Sequence, residues 1–328
     1  MVQFHWRSSP VPFLLTNNPK NGIINYHKER GTKVSQKGII MKITVVGCGN
    51  AFSAENFNQS FLVEEDGRKM LIDCGYQVPK ALAFQNIDFK TIDDIYISHL
   101  HADHIGGLEY FAFLRYDWQK KPRKAPENAP RLIGNVHLLE NLWEKSLRGG
   151  LESMEGFVST INTFFQTLPI EPNESFVWQG WTVNLIQQIH IMSGSVIMPS
   201  FGIMFSKEGH KSVYFVTDSQ HCSPRQIEDF YTAADVIFQD CECVGVNMKE
   251  KKYIFGSGVH ANYAQLAGWE SANSIKLSSE IKGKMWLSHY QDFVPASKDM
   301  FGNPVDWEKE TASEGFAGMV KVGMKFEV

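Results

Sequence analysis

Four apolar runs in this chain each end on a residue type that binds metal ions. Ile95-Tyr96-Ile97-Ser98 leads into His99, and Leu185-Ile186-Gln187-Gln188-Ile189 into His190. Tyr214-Phe215-Val216-Thr217 leads into Asp218, and Met285-Trp286-Leu287-Ser288 into His289. A single histidine at a strand end is more often a satisfied core residue. Four coincidences of strand end and ligand type call for a fold that delivers these ends together. Rigid strands position ligands, and the loops that follow leave room for a substrate.

The first of these ends is also the densest, reading His99-Leu100-His101-Ala102-Asp103-His104. Alternate residues His99 and His101 can reach one metal from a short loop, while Asp103 and His104 face a second. Buried imidazoles and carboxylates need partners, and divalent ions supply them. The alternative is a His-rich polar surface loop. The preceding strand and the following Ile105-Gly106-Gly107-Leu108 favour the metal site.

The 328 residues, 43% hydrophobic and 21% charged, are enough for a large core. A net charge of −4 gives no global basic footprint for duplex nucleic acid. No apolar run approaches the roughly 18 residues of a membrane span. The five cysteines (Cys48, Cys74, Cys222, Cys241 and Cys243) include no Cys-x-x-Cys pair. This pattern predicts reduced, buried thiols in a cytoplasmic chain.

Residues 1–40 carry six basic residues and one acid and show no helical or strand period. They are expected to form a loosely ordered basic extension, with the domain beginning at Met41. From there the pattern predicts strands at Ile43–Val46, Ser60–Glu64, Lys69–Asp73 and Asp94–Ser98, with Asp66-Gly67 as a type I′ turn. Helices are expected over Val78–Phe84, Leu108–Trp118 and Val136–Leu147, the last stopped by Gly149-Gly150. A Lys/Pro-rich loop fills 119–130. Further strands are expected at Trp181–Ile189, Ser212–Thr217, Asp235–Gln239 and Lys284–Ser288.

From Met41 onward these motifs, in this order, resemble the metallo-β-lactamase-fold hydrolases. Gly47-x-Gly49-x-Ala51-Phe52, Asn58-x-Ser60 and Asp73-Cys74-Gly75 are similar to the opening motifs of the ribonuclease Z branch. The resemblance implies an α/β, four-layer αββα sandwich over 41–328, with a helical insertion at about 108–180. It implies two Zn²⁺ ions at one edge, with Mn²⁺ or Fe²⁺ also acceptable to such donors. His99, His101 and His190 would hold one ion and Asp103, His104 and His289 the other, with Asp218 bridging. A hydroxide shared by the two ions would be the nucleophile, and Asp103 thus counts among both the ligands and the catalytic residues.

The ribonuclease Z branch has a Glu that supports a later His. Here Asp240 stands at the matching place, and His260 would be its partner and the proton donor. Asp73, at a strand end, would steady a ligand imidazole from outside. His5, His27, His137 and His210 have no motif context and read as surface residues, while His221 is a candidate for lining the pocket. Phe52, Tyr263 and Tyr290 are candidates to stack a base, with core packing as the alternative.

The tRNA-processing members carry a flexible arm between the third ligand His and the bridging Asp. Residues 191–217 read as a turn plus two strands and leave no room for it. The armless core is closest in character to phage anti-Pycsar enzymes, which hydrolyse cyclic pyrimidine nucleotides. The expectation is therefore a phosphodiesterase acting on a 3′,5′-cyclic nucleotide. The alternatives are a ribonuclease Z-type endonuclease acting on tRNA or other RNA, and a catalytically dead metal-binding interaction module. The 108–180 insertion would cover the pocket or form the interface of a homodimer.

Overall fold

The computed structural model describes residues 40–220, 223–274 and 276–328. The expectations for the basic extension, His5, His27, His221 and Cys222 fall on residues outside this set.

Two seven-stranded sheets carry the fold. The first contains β1 (Lys42–Gly47), β2 (Ser60–Glu65), β3 (Arg68–Ile72), β4 (Asp94–Tyr96), β5 (Arg131–Asn135), β8 (Gln166–Ile170) and β18 (Lys325–Glu327). Its order is β18-β1-β2-β3-β4-β5-β8, and it is parallel from β3 to β8. The second contains β9 (Ser175–Trp178), β10 (Trp181–Ser193), β11 (Val196–Ser206), β12 (Val213–Phe215), β13 (Val236–Asp240), β16 (Met285–Ser288) and β17 (Gly318–Met319). Its order is β17-β16-β13-β12-β11-β10-β9, parallel from β12 to β17. Two short hairpins, β6 (Ser153–Met154) with β7 (Phe157–Val158) and β14 (Val246–Asn247) with β15 (Lys252–Tyr253), lie outside these sheets.

Local chemistry explains these elements. Asp66 and Gly67 both take positive φ, 52° and 74°, as the expected β2–β3 turn requires. Phe61 of the first sheet meets Phe215 and Phe238 of the second at ring separations of 5.0 and 4.8 Å. Each such buried ring contributes about 1.5–3 kcal/mol by leaving water. Helices α1 (Val78–Phe84), α3 (Leu108–Arg115) and α4 (Val136–Leu142) bury Leu82, Phe111 and Leu139 in an apolar cluster with the first sheet. Helices Tyr263–Ala267, Ser279–Gly283 and Trp307–Ser313 join the cluster of the second sheet through Leu266, Ile281 and Trp307. The αββα layering is as expected.

Some boundaries differ from the sequence reading. The stretch 108–180 is not a wholly helical insertion, because it supplies β5 and β8 to the first sheet. The helix from Leu108 ends at Arg115. Gly149-Gly150 does not stop the helix that begins at Val136, which passes from α4 through a wide turn, Trp143–Leu147, and continues through Arg148–Leu151. Arg148 bonds both Glu144 and Glu152 at 2.7 Å, and Leu147 and Leu151 are buried, so the segment stays helical despite its glycines.

Asp94 clamps the strand that leads to the His-rich motif. Its buried carboxylate accepts hydrogen bonds from Arg68 of β3 (2.7 and 2.9 Å), from Arg131 of β5 and from the Trp178 indole of β9 (2.8 Å). Burial works against the charge, but the two guanidiniums and the indole outweigh it and hold the carboxyl below its ordinary pKa. A lowered carboxyl stabilises the fold above its unfolded-state pKa of about 3.9, and this contribution is lost as pH falls toward the folded value. Asp94→Asn is expected to cost about 2–4 kcal/mol at pH 7, less than a fully buried pair because the arginines are partly solvated. In urea unfolding the gap between the two proteins should narrow below about pH 4; a gap independent of pH would sink this assignment.

Candidate metal centre

The ligand-type residues gather where β4, β10, β12 and β16 end. His289 directly follows β16, while His99 and Asp218 each lie three residues beyond their strands, β4 and β12. His190 differs from expectation, because β10 continues past it to Ser193. The β10–β11 register shifts between Ile189 and Ile191, so His190 sits at an irregularity in the ladder. Such a bulge re-aims one side chain without ending the strand.

His101 precedes a single helical turn, α2 (Ala102–Ile105), which presents Asp103 and His104. That turn packs so closely on the loop after β3 that a Cβ on Gly75 would lie 1.9 Å from the Asp103 carbonyl oxygen. Asp73, Thr217 and His289 hold left-handed backbone, with φ of 61°, 55° and 64°. For Thr217, which is β-branched, this is costly, and such strain concentrates at functional sites.

Three groups of ligand atoms converge and share Asp218: one with His99, His101 and His190, one with Asp103, His104 and His289, and one with Asp240, His260 and His289. In the first, His101 Nδ1 lies 3.0 Å from both His99 Nε2 and His190 Nε2, and Asp218 Oδ2 lies 3.8 and 3.7 Å from those two nitrogens. In the second, His104 Nε2 stands 3.2 Å from oxygens of Asp103 and of Asp218, and His289 Nε2 stands 3.4 Å from the same two.

Outer hydrogen bonds decide which ring nitrogens face inward. His190 Nδ1–H donates to the Val259 carbonyl at 2.9 Å. Ser98 Oγ–H donates to Asp73 at 2.7 Å, so His99 Nδ1–H donates to Ser98 at 3.0 Å. His104 Nδ1–H donates to Asp73 at 2.7 Å. Each tautomer leaves an Nε2 lone pair pointing into the cluster.

Lone pairs 3.0 Å apart repel unless a cation lies between them. Ligands 2.0 Å from a tetrahedral zinc ion would be separated by about 3.3 Å. In the second group His104 Nε2 and Asp218 Oδ1 are buried without a hydrogen-bond partner. Orphaned buried polar atoms of this kind fit a divalent ion. The electrostatics agree. Burial opposes charge on His104 and His289, yet the carboxylates of Asp218 and Asp103, with Asp73 at His104 and Asp240 at His289, override it. The His104 pKa is held well above the ordinary value and that of His289 near 10. Burial holds His99 well below it. The field therefore asks for positive charge at the second group.

Beside both groups, His260 Nδ1 pairs with Asp240 at 2.9 Å. Burial disfavours its charge, but Asp240 prevails and raises the His260 pKa. The structure thus brings together the seven expected ligands with His260 and Asp240, and Asp240 does more than expected. Its second oxygen lies 3.2 Å from His289 Nδ1, and the backbone N–H of Ser219 donates to the first at 2.9 Å. Ser98 and the Val259 carbonyl were not foreseen. A hydroxyl residue directly precedes three of the ligands, in Ser98-His99, Thr217-Asp218 and Ser288-His289, and that recurrence was the available signal.

Other expectations resolve plainly. Tyr263 and Tyr290 are core residues, and Tyr290 is tied to Cys48 and the Val320 carbonyl, so neither is free to stack a base. Phe52 is 91% exposed. His137 is exposed, and His210 packs against Trp181. Cys48, Cys74, Cys241 and Cys243 are free, buried thiols, and burial pushes Cys48 up to about 12.

The paired sheets with a His/Asp constellation at one edge define a metallo-β-lactamase-fold protein. The YhfI structure from Bacillus subtilis, titled as having that fold, superposes with a TM-score of 0.60 at 20% identity, covering 88% of this chain and 100% of its own. Residues 41–305 match the family model described as anti-Pycsar protein Apyc1, and the chain belongs to that family. The Apyc1 protein of Paenibacillus harenae is 32% identical over 256 residues, covering 77% of this chain and 91% of the relative. That of Bacillus phage 010DV004 is 30% identical over 260 residues, covering 77% and 90%. Among the described residues, no helix is long and apolar enough to cross a membrane.

Proposed function

We propose that this chain, a phosphodiesterase-type hydrolase, uses two divalent metal ions to hydrolyse 3′,5′-cyclic nucleotides. The observation that carries the reading is the pair of ligand groups sharing Asp218, with the His260–Asp240 pair beside them. His99, His101 and His190 would hold one ion, Asp103, His104 and His289 the other, and Asp218 both. Zinc suits these donors, and two such ions would supply positive charge at the phosphoryl oxygens and lower the pKa of water toward about 7.

The chain's own residues account for the rest. As water oxygen bonds to phosphorus, the bond to one ribose oxygen breaks, and that oxygen needs a proton. His260 has its Nδ1 committed to Asp240, which leaves Nε2 to deliver one. The raised pKa keeps that proton available near neutrality. Asp240 orients the ring, and Asp73 fixes His104 directly and His99 through Ser98.

The name anti-Pycsar, shared by the relatives, fits a cyclic pyrimidine nucleotide as substrate. Processing of tRNA is the second reading. Residues 191–217 argue against it, because the end of β10, then β11 and β12, occupy that span and leave no arm. The test is a hydrolysis screen of the zinc-loaded protein on cyclic mononucleotides, with precursor tRNA in parallel and Asp218→Ala as control. Cyclic nucleotides should be cleaved and precursor tRNA left intact. Cleavage of precursor tRNA alone would overturn the substrate assignment.

A further inference from the structure

A cavity of about 220 Å³ opens beside the ligand groups, where the first sheet has ended and β10 and β11 continue. His99 belongs to both the cluster and the cavity wall. Leu100 lines it together with Pro199 and Phe201 of β11, and the Phe201 N–H donates to the Ser98 carbonyl. The lining contains no Asp, Glu, Lys or Arg, so it suits an uncharged group.

It is not wholly apolar. The Gln187 side chain is exposed at the cavity mouth and makes no hydrogen bond among the described residues. Asn141 commits only its Nδ2, to the His137 carbonyl at 2.9 Å, which leaves its carbonyl oxygen available. Apolar walls with a few convergent amides describe a site for a flat, neutral, hydrogen-bonding ring.

We propose that this cavity receives the nucleobase of the substrate, with Asn141 and Gln187 reading the base edge. The assignment rests on the phosphodiesterase reading above and names what that reading leaves open, the recognition of the base. A phosphate over the ligand groups would place the rest of a nucleotide along this edge. The lining offers no Arg or Lys to a phosphate, while the amides offer both donors and acceptors to a heterocycle. Asn141 is half-buried and Gln187 exposed, so both tolerate substitution without loss of the fold.

The experiment compares kcat/KM for cyclic mononucleotides with kcat/KM for ribose 3′,5′-cyclic phosphate lacking a base. In the unaltered protein the nucleotides should be the better substrates. Asn141→Leu and Gln187→Leu should each lower the nucleotide-to-abasic ratio by about 3- to 10-fold, unevenly among bases. A ratio near one in the unaltered protein, or one that neither substitution moves, would overturn the cavity assignment and leave the phosphodiesterase reading intact. Hydrolysis of neither substrate by the unaltered protein would overturn that reading, and the cavity assignment with it.

Discussion

Asp218→Ala is expected to lower turnover by about 1000-fold or more and to strip metal from both proposed sites at once. Among the described residues, no other side chain belongs to both the His99–His101–His190 group and the Asp103–His104–His289 group. Its Oδ2 faces His99 and His190, and its Oδ1 faces His104 and His289. Removing it takes away the one negative charge that both groups share and leaves the four imidazoles facing one another. Strained Thr217 and the bond from Ser200 to the Asp218 carbonyl hold the backbone there. Asp218→Asn separates charge from shape, since it keeps the volume and loses the charge, and it should lose metal as well. The check is metal content per chain beside turnover, with circular dichroism to establish that the fold persists. Retention of two ions per chain in either variant would remove Asp218 from its proposed place.

The ligands were legible because chemistry and periodicity coincide at them. An apolar run that stops on His or Asp marks both a strand end and a candidate ligand, and the motif at 99–104 repeats the signal within one turn. What escaped notice depends on neighbours in space. The bulge at His190 breaks no sequence period, because the apolar pattern continues through Ile191 and Met192. Strand β8 falls within the stretch read as a helical insertion, since Gln166, Thr167 and Pro169 give it no strand alternation; it is tolerated because it lies at the sheet edge, where a proline's missing donor costs little. The glycines at 149–150 mark a helix stop only if nothing holds the turn, and Arg148 with its two glutamates does hold it. Asp240 was matched to His260 by position along the chain, but its approach to His289 exists only because β13 and β16 pair in parallel, with Asp240 opposite Ser288.

That double contact makes His260 and Asp240 separable by experiment. His260→Ala is expected to lower the rate by about 100- to 1000-fold, the range for loss of a positioned proton donor, and to leave metal content at the level of the unaltered protein. The His260 ring touches the cluster only from its rim. Its Nδ1 is taken by Asp240 at 2.9 Å and lies 3.8 Å from Asp218. Asp240→Ala should behave differently. It frees the His260 ring, lets the raised pKa fall back, and also removes the carboxylate 3.2 Å from His289 Nδ1 that favours the tautomer with Nε2 facing inward. The expected result is a rate loss at least as large as that of His260→Ala, together with weaker metal binding, of about 10- to 100-fold for lost outer support of a ligand. A His260→Ala/Asp240→Ala double variant should therefore be no slower than Asp240→Ala at saturating zinc, because the two side chains act as one proton-delivering unit. If His260→Ala instead loses metal while Asp240→Ala retains it, the roles of the two residues are reversed. His260 would then be a ligand, and the proton for the departing ribose oxygen would have to come from another group.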